Sequence, residues 1–298
     1  MKFTSIFFLL LCYVMSLGEL EAQEPVTLRL NLAPNIEYSM RLVADQNVTV
    51  VAKNKKETLT QSVAQDWTYD VREVRADGTT LLGCKIVAVS YSRQAPNGVV
   101  EWNSRDGKPA PEAVDYFSAF VGARFSLELD KSGRIGRVSG VSELTERIIT
   151  LYGLSASSAA SIRPLMNKTA SGNTFKNIGN LMASFPDKPL QIGESWKKID
   201  PISGDGGFDY DTTCSLQSLE NGVATIGVKS KLVLQKNVPV ASRNPFFAGA
   251  TQSGTLLVDE KTGWTNNAQV VLRNMIKSPQ GRIYVRSEMR LSQLESTQ

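Results

Sequence analysis

From residue 24 onward, apolar and polar residues mostly alternate. Val26-Thr27-Leu28-Arg29-Leu30-Asn31-Leu32 repeats with period two, the mark of a strand with one buried face. Residues 37–42 and 47–51 continue in the same style, and 61–75 (QSVAQDWTYDVREVR) is a longer run. Asp77-Gly78 separates that run from 80–92 (TLLGCKIVAVSYS). Asp-Gly between alternating runs predicts a hairpin. Residues 93–113 hold Pro96, Asn97-Gly98, Asp106-Gly107, Pro109 and Pro111, and read as a loop. A second hairpin, 123–138, turns at Lys131-Ser132-Gly133. Asn221-Gly222 and Glu260-Lys261-Thr262-Gly263 mark two more, within 208–235 and 254–273, and 282–294 closes the chain with alternation.

The period changes in the middle. Val141, Leu144, Ile148, Leu151 and Tyr152 share one helical face, ended by Gly153. Residues 155–166 are rich in Ala and Ser and read as a second helix, limited by Pro164. Phe175, Ile178, Leu181, Met182 and Phe185 fit a third, stopped by Pro186. Such stripes pack against a sheet.

The pattern predicts a mainly β (α+β) protein. A curved antiparallel sheet, or open half-barrel, forms from two pseudo-repeated meanders, with a central helical segment on one face. The meanders are 23–140 and 186–298, and the helical insert is 141–185. The halves look alike: Trp67-Thr68-Tyr69-Asp70 before Asp77-Gly78 parallels Phe208-Asp209-Tyr210-Asp211 before Asn221-Gly222. Asp130-Lys131-Ser132-Gly133 likewise parallels Asp259 to Gly263.

Residues 1–22 stand apart. Lys2 precedes an apolar run to Leu17, then Gly18-Glu19-Leu20-Glu21-Ala22. A positive start, a short apolar stretch and a small residue at the cut describe a secretory signal peptide. Cleavage is expected between Ala22 and Gln23. The run is shorter than the ~20 apolar residues of a membrane span. Leu9-Leu10-Leu11-Cys12 only loosely resembles a lipobox, because Leu11 is bulky, so no lipid anchor is expected at Cys12. The expected product is a soluble periplasmic or extracellular chain.

Removing 22 of the 298 residues leaves 276, enough for one large domain. Charge changes little: 33 basic and 29 acidic residues become 32 and 27 without Lys2, Glu19 and Glu21. The basic residues are scattered, so no nucleic-acid footprint is present. Cys84 and Cys214 remain, and an oxidising compartment permits a disulfide between them. The chain has no histidine. That excludes Ser-His-Asp and Cys-His nucleophiles, and removes the commonest zinc ligand and general base.

The remaining candidates are few. Asp70 and Asp211 occupy matching Tyr-Asp positions, and Glu101 and Asp106 stand in the 93–113 loop. Paired carboxylates serve glycan hydrolysis when they converge. In alternating strands, however, Asp70 and Asp211 read as solvated surface. Ser203 to Asp211 superficially suggests a calcium loop but lacks the required spacing and terminal Glu. Gly193-Glu194-Ser195-Trp196 lacks the second glycine of a nucleophile elbow. No glycine cluster forms a phosphate cradle. No metal or cofactor is therefore expected. Asp211-Thr212-Thr213 resembles the short O-glycosylation motif of exported Bacteroidetes proteins, which would modify Thr212. A ligand held between sheet and helices would touch Trp67, Leu144, Ile148, Phe175, Ile178, Met182 and Trp196.

A wider resemblance rests on Glu101-Trp102-Asn103-Ser104-Arg105-Asp106-Gly107, Val121 to Phe125, Asp130 to Gly140, Phe185-Pro186 and Pro189 to Trp196. Together these resemble uncharacterised exported bacterial, Bacteroidetes-like proteins of the domain-of-unknown-function type. The resemblance implies a fold and no known reaction. The layout is also similar to lipoprotein carriers, open half-barrels that hold acyl chains. The reading that follows is a non-enzymatic envelope protein binding an apolar small molecule, a lipid or an envelope protein on a curved sheet. A carboxylate-dependent glycan hydrolase and a surface interaction module are the alternatives.

Overall fold

In the computed structural model, residues 24–52, 55–169, 181–198, 208–234, 249–278 and 281–294 are described. Twelve strands form one antiparallel sheet. The first six are β1 (Glu37–Ala52), β2 (Lys55–Val74), β3 (Thr80–Ala95), β4 (Gly98–Asn103), β5 (Arg124–Leu129) and β6 (Ile135–Ser139). The second six are β7 (Ser195–Lys198), β8 (Phe208–Glu220), β9 (Val223–Leu234), β10 (Thr251–Asp259), β11 (Thr265–Ser278) and β12 (Gly281–Gln293). The order is β6-β5-β3-β2-β1-β12-β11-β10-β9-β8-β7, with β4 also on β3. Each half is a meander, and the two join where β1 pairs with β12. The outermost strands, β6 and β7, are very short, which limits unpaired edge.

The sheet is open but strongly curled. Leu30 N donates to Lys131 O at 2.9 Å, and Asn31 N to Thr262 O at 2.8 Å. These neighbouring residues thus touch the β5–β6 and β10–β11 turns. On a flat sheet β5 and β11 would stand five strand spacings apart, ~24 Å at about 4.8 Å per strand. The aromatic residues give the same picture. Trp264, after β10, lies 4.6 Å from the Tyr38 ring and 5.5 Å from that of Tyr69. Tyr69 continues to Trp67, and Trp67 to Phe125. The inward residues of both halves form a single packed core.

Four sequence expectations need correction. Residues 26–32 keep their alternation, with Leu28, Leu30 and Leu32 buried, but they join no strand ladder. Their backbone bonds go to turns and to Leu190 instead. The expected loop 93–113 contains β4, because Asn97-Gly98 acts as a hairpin turn. The helix Ala156–Thr169 runs through Pro164. Proline removes the bond to the preceding turn's carbonyl and crowds it, and Arg163 holds that turn to Glu146 on the helix Val141–Leu151 through 2.5 and 2.9 Å bonds. Finally, Met182 to Phe185 are not helical. Ala183 N bonds Thr265 Oγ1 at 3.0 Å, and Phe185 N bonds Ser132 O at 2.8 Å. The sequence 181–185 therefore fills the gap between the two halves, and its apolar side chains are buried there.

Gly263 shows how closely the N-terminal segment seats. Its φ is +67°, and a Cβ there would lie 2.2 Å from Arg29 O. Gly193 also has positive φ, +88°, but its Cβ would meet open space. Gly193→Ala should therefore cost about 1 kcal/mol, the backbone term alone. Gly263→Ala should cost at least ~2 kcal/mol more, because the segment must shift off the core. Urea denaturation of the two variants compares these directly, and equal midpoints would refute tight seating.

Candidate functional site

β1, β2, β11 and β12 outrun the core. No residue of β1 after Leu42, of β2 before Ala64, of β11 after Val270 or of β12 before Glu288 is fully buried among those described. The register places their inward side chains in rows. Val63, Ala44, Met289 and Val270 form the last layer over the core. Gln61, Gln46, Ser287 and Leu272 follow, with Gln46 Nε2 on Ser287 Oγ at 3.5 Å. Beyond this polar row stand Leu59, Val48 and Val285, then Val50, Ile283 and Ile276. These six aliphatic side chains share one face. Five are half-buried and Val50 is exposed.

The opposite face of this four-stranded apron is cationic. Arg286 lies directly across from Arg273, and Arg282 across from Lys277. Like charges directly opposite one another disfavour the pairing. Arg286 and Arg290 are offset by Glu288, held at 2.6 and 3.3 Å. The pairing of Glu288 with Gln269 and Arg286 holds its carboxyl below the usual carboxylate range, against the effect of its burial. The apron thus has an aliphatic inner surface and an arginine-rich outer one.

The residues expected around a ligand lie elsewhere. Trp67, Leu144, Ile148, Met182 and Trp196 are buried members of the packed core. Trp196 Nε1 is spent on Ser184 O at 2.8 Å. Phe175 and Ile178 lie outside the described residues, as do Cys12, the Ala22–Gln23 cleavage position and residues 203–207 of the calcium-like loop. Among the described residues no His, Cys, Asp or Glu group could hold a metal ion. The signal that would have found the apron was strand length. The alternation of 43–52 and 272–285 continues past any residue able to meet the core.

Two expectations about single residues differ from what the structure shows. Cys84 and Cys214 are free and buried, on β3 and β8 with six strands between them, so the permitted disulfide is not formed. Thr212 is only 4% exposed, and its hydroxyl donates to Ser230 Oγ at 2.9 Å. It is closed to O-glycosylation because it faces inward from β8. The carboxylates do not converge as a set. Asp70 pairs with Arg72 at 2.8 Å, and Asp211 pairs with Lys197. Glu101 and Asp106 do share one cavity, of about 480 Å³, on the outer face.

Residues 77–265 match the description "Family of unknown function (DUF6263)". The chain belongs to that family. No curated protein matches. Among solved structures, lipovitellin is similar with a TM-score of 0.59 at 11% identity, over 89% of this chain and 25% of that one. The chain therefore spans about a quarter of lipovitellin's length, and the likeness is one of fold. The translocator domain of the autotransporter NalP from Neisseria meningitidis is 6% identical, over 89% of this chain and 91% of that one, at a TM-score of 0.32. A putative outer membrane lipoprotein-sorting protein domain from Vibrio parahaemolyticus is 9% identical, over 87% of each chain, at 0.14. Neither score establishes a shared fold. Among the described residues no helix is long and apolar enough to cross a membrane.

Burial disfavours both thiolates. It pushes the Cys84 thiol well up, with the Asp70 charge adding to the effect, and the Cys214 thiol up to about 11. The folded chain 23–298 should therefore show almost no reaction with a thiol reagent at about pH 8, where a free cysteine titrates. Two equivalents should react once it is denatured. A fast native reaction of either thiol would mean that its strand opens locally.

Proposed function

We propose that this DUF6263 protein is an exported, non-enzymatic envelope protein. It holds a lipid acyl chain against the inner face of its open sheet. The observation that carries the reading is the pair of aliphatic rows on the apron, Leu59-Val48-Val285 and Val50-Ile283-Ile276. These side chains leave the core yet remain apolar, so part of their surface stays in water until something covers it. An acyl chain is long, unbranched and sequence-blind, and a pair of parallel aliphatic rows suits it. The likeness to lipovitellin supports the reading, since that structure was described for its lipid–protein interactions. Residues 1–22 supply the export signal. The arginines of the outer apron face favour work beside an anionic membrane surface.

The glycan-hydrolase reading is weaker. Asp70 and Asp211, the matched pair that suggested it, are separately ion-paired on β2 and β8. A protein partner on the same apron is the interaction-module alternative, and the same measurement separates it.

A fluorescent undecanoyl probe titrated into the chain 23–298 tests the proposal. Binding should be saturable and stoichiometric. Val285→Asp, at the centre of the inner rows, should weaken it at least tenfold while leaving the circular dichroism spectrum unchanged. A wild-type chain that takes up no acyl probe, or a Val285→Asp chain that binds equally well, would overturn it.

A further inference from the structure

The outer face of the first meander carries a depression that the lipid reading leaves unused. Its floor is a block of small side chains. Ser62 lies opposite Ser92, Ala64 opposite Ser90, and Asp66 opposite Ala88 across β2 and β3. Ser and Ala are poor strand residues, and an exposed sheet face ordinarily carries larger or β-branched ones. β4 raises one wall, with Asn103 opposite Ser90 and Glu101 opposite Ser92. β1 raises the other, with Arg41 beside Asp66 and Asp45 beside Ser62. Three cavities follow this furrow. The middle one is about 480 Å³ and the open-end one about 360 Å³; the two share Ser62, Ser92 and Glu101. A closed-end space of about 60 Å³ shares Ser90 and Asn103 with the middle one. The larger two fall in the size range of small-molecule sites.

The narrow end is built around a buried, paired carboxylate. Asp66 lines it and is only 6% exposed. Its Oδ2 accepts from Arg105 Nη2 at 2.6 Å. Its Oδ1 is buried and accepts no hydrogen bond; Arg41 Nη1 stands 3.7 Å away. A buried carboxylate oxygen without a donor is costly. The Arg41 charge offsets part of that cost.

Charge narrows the class. Asp66 sits between two arginines at the closed end. Over the middle, Glu101 and Asp106 stand with Lys108. At the open end Asp45 stands with Arg286. The furrow therefore has no single sign, and every wall offers a donor or an acceptor. We propose that it binds a neutral, polyhydroxylated ligand, namely a segment of an uncharged oligosaccharide, whose hydroxyls meet wall and floor groups such as Glu101, Asn103 and Ser92. This is a binding site and implies no bond cleavage.

Saturation-transfer NMR on the chain 23–298 tests it with maltotetraose, cellotetraose, laminaritetraose and chitotetraose, each at up to about 10 mM, ten times a millimolar dissociation constant. At least one neutral tetrasaccharide should bind with a dissociation constant of about 1 mM or tighter. Ser92→Leu fills the floor where the two larger cavities meet, and should weaken binding at least tenfold. Ser62→Val serves as the second filling variant if Ser92→Leu lowers the melting temperature. Absence of binding by all four sugars, equal binding by a folded filling variant, or a preference for an acidic sugar such as sialyllactose would each overturn the proposal. The acyl probe keeps the two readings apart. Ser92→Leu should bind it normally, and Val285→Asp should bind the sugar normally.

Discussion

The structure depends on a sheet whose inner face the described helices are too few to cover, so that it covers itself. Twelve strands expose one long apolar surface, and burying that surface drives folding. The described helical residues pack mainly against β3 and β5. The sheet therefore curls until its two halves share a core. Leu30 and Asn31 hold that geometry by donating to one turn from each half. The turns are built to receive them. Asp130 accepts from Ser132 N, Ser132 Oγ and Arg134 Nε at 2.9, 2.5 and 2.8 Å. Asp259 accepts from Thr262 N and Oγ1 at 2.8 and 2.7 Å. Burial alone would raise the Asp130 carboxyl, but its bonds to Ser132 and Arg134 keep it below the ordinary range.

This arrangement explains why half-exposed aliphatic surface concentrates on the long strands. A curled sheet has a fixed interior height, set by Leu28, Leu30 and Leu32 at one end and by the last full core layer at the other. The short strands β5, β6 and β7 stop within that height. The four central strands do not, because β1–β2 and β11–β12 are hairpins whose length nothing inside the core limits. Their projecting halves keep the same alternation. An inward position that would be core elsewhere becomes a partly wet aliphatic position here.

Much of the fold was legible for physical reasons. Hairpin turns are local, so Asp77-Gly78, Asn221-Gly222 and the Asp130 and Asp259 turns could be read directly. The pairing of β1 with β12 was not legible, since it joins residues some 240 apart and rests on no turn. The 26–32 segment shows the limit of period two. Alternation reports that one side is buried, and it is silent on whether the backbone bonds go to a ladder or to turns. The same limit applied at the site. Trp67 and Trp196 carried an aromatic signal that any core produces. The furrow is visible only once Ser62, Ala64, Ser90 and Ser92 become neighbours, because small residues on separate strands form no pattern along the chain.

The two faces of the sheet also answer the question that composition raised. A chain without histidine has few means of moving protons at neutral pH, and ion pairs hold Asp70 and Asp211, two of its four candidate carboxylates, in separate partnerships. What the fold supplies instead is surface of two kinds. The inner apron offers aliphatic rows with no directional bonding, which grips by area. The outer furrow offers paired donors and acceptors over a floor of small side chains, which grips by direction. One strand, β2, serves both: Leu59 and Val63 face inward, while Ser62 and Asp66 face outward. Period two makes this possible. Moving one residue along the strand exchanges an aliphatic surface for a polar one. A register slip of β2 against β1 or β3 would therefore disturb both at once.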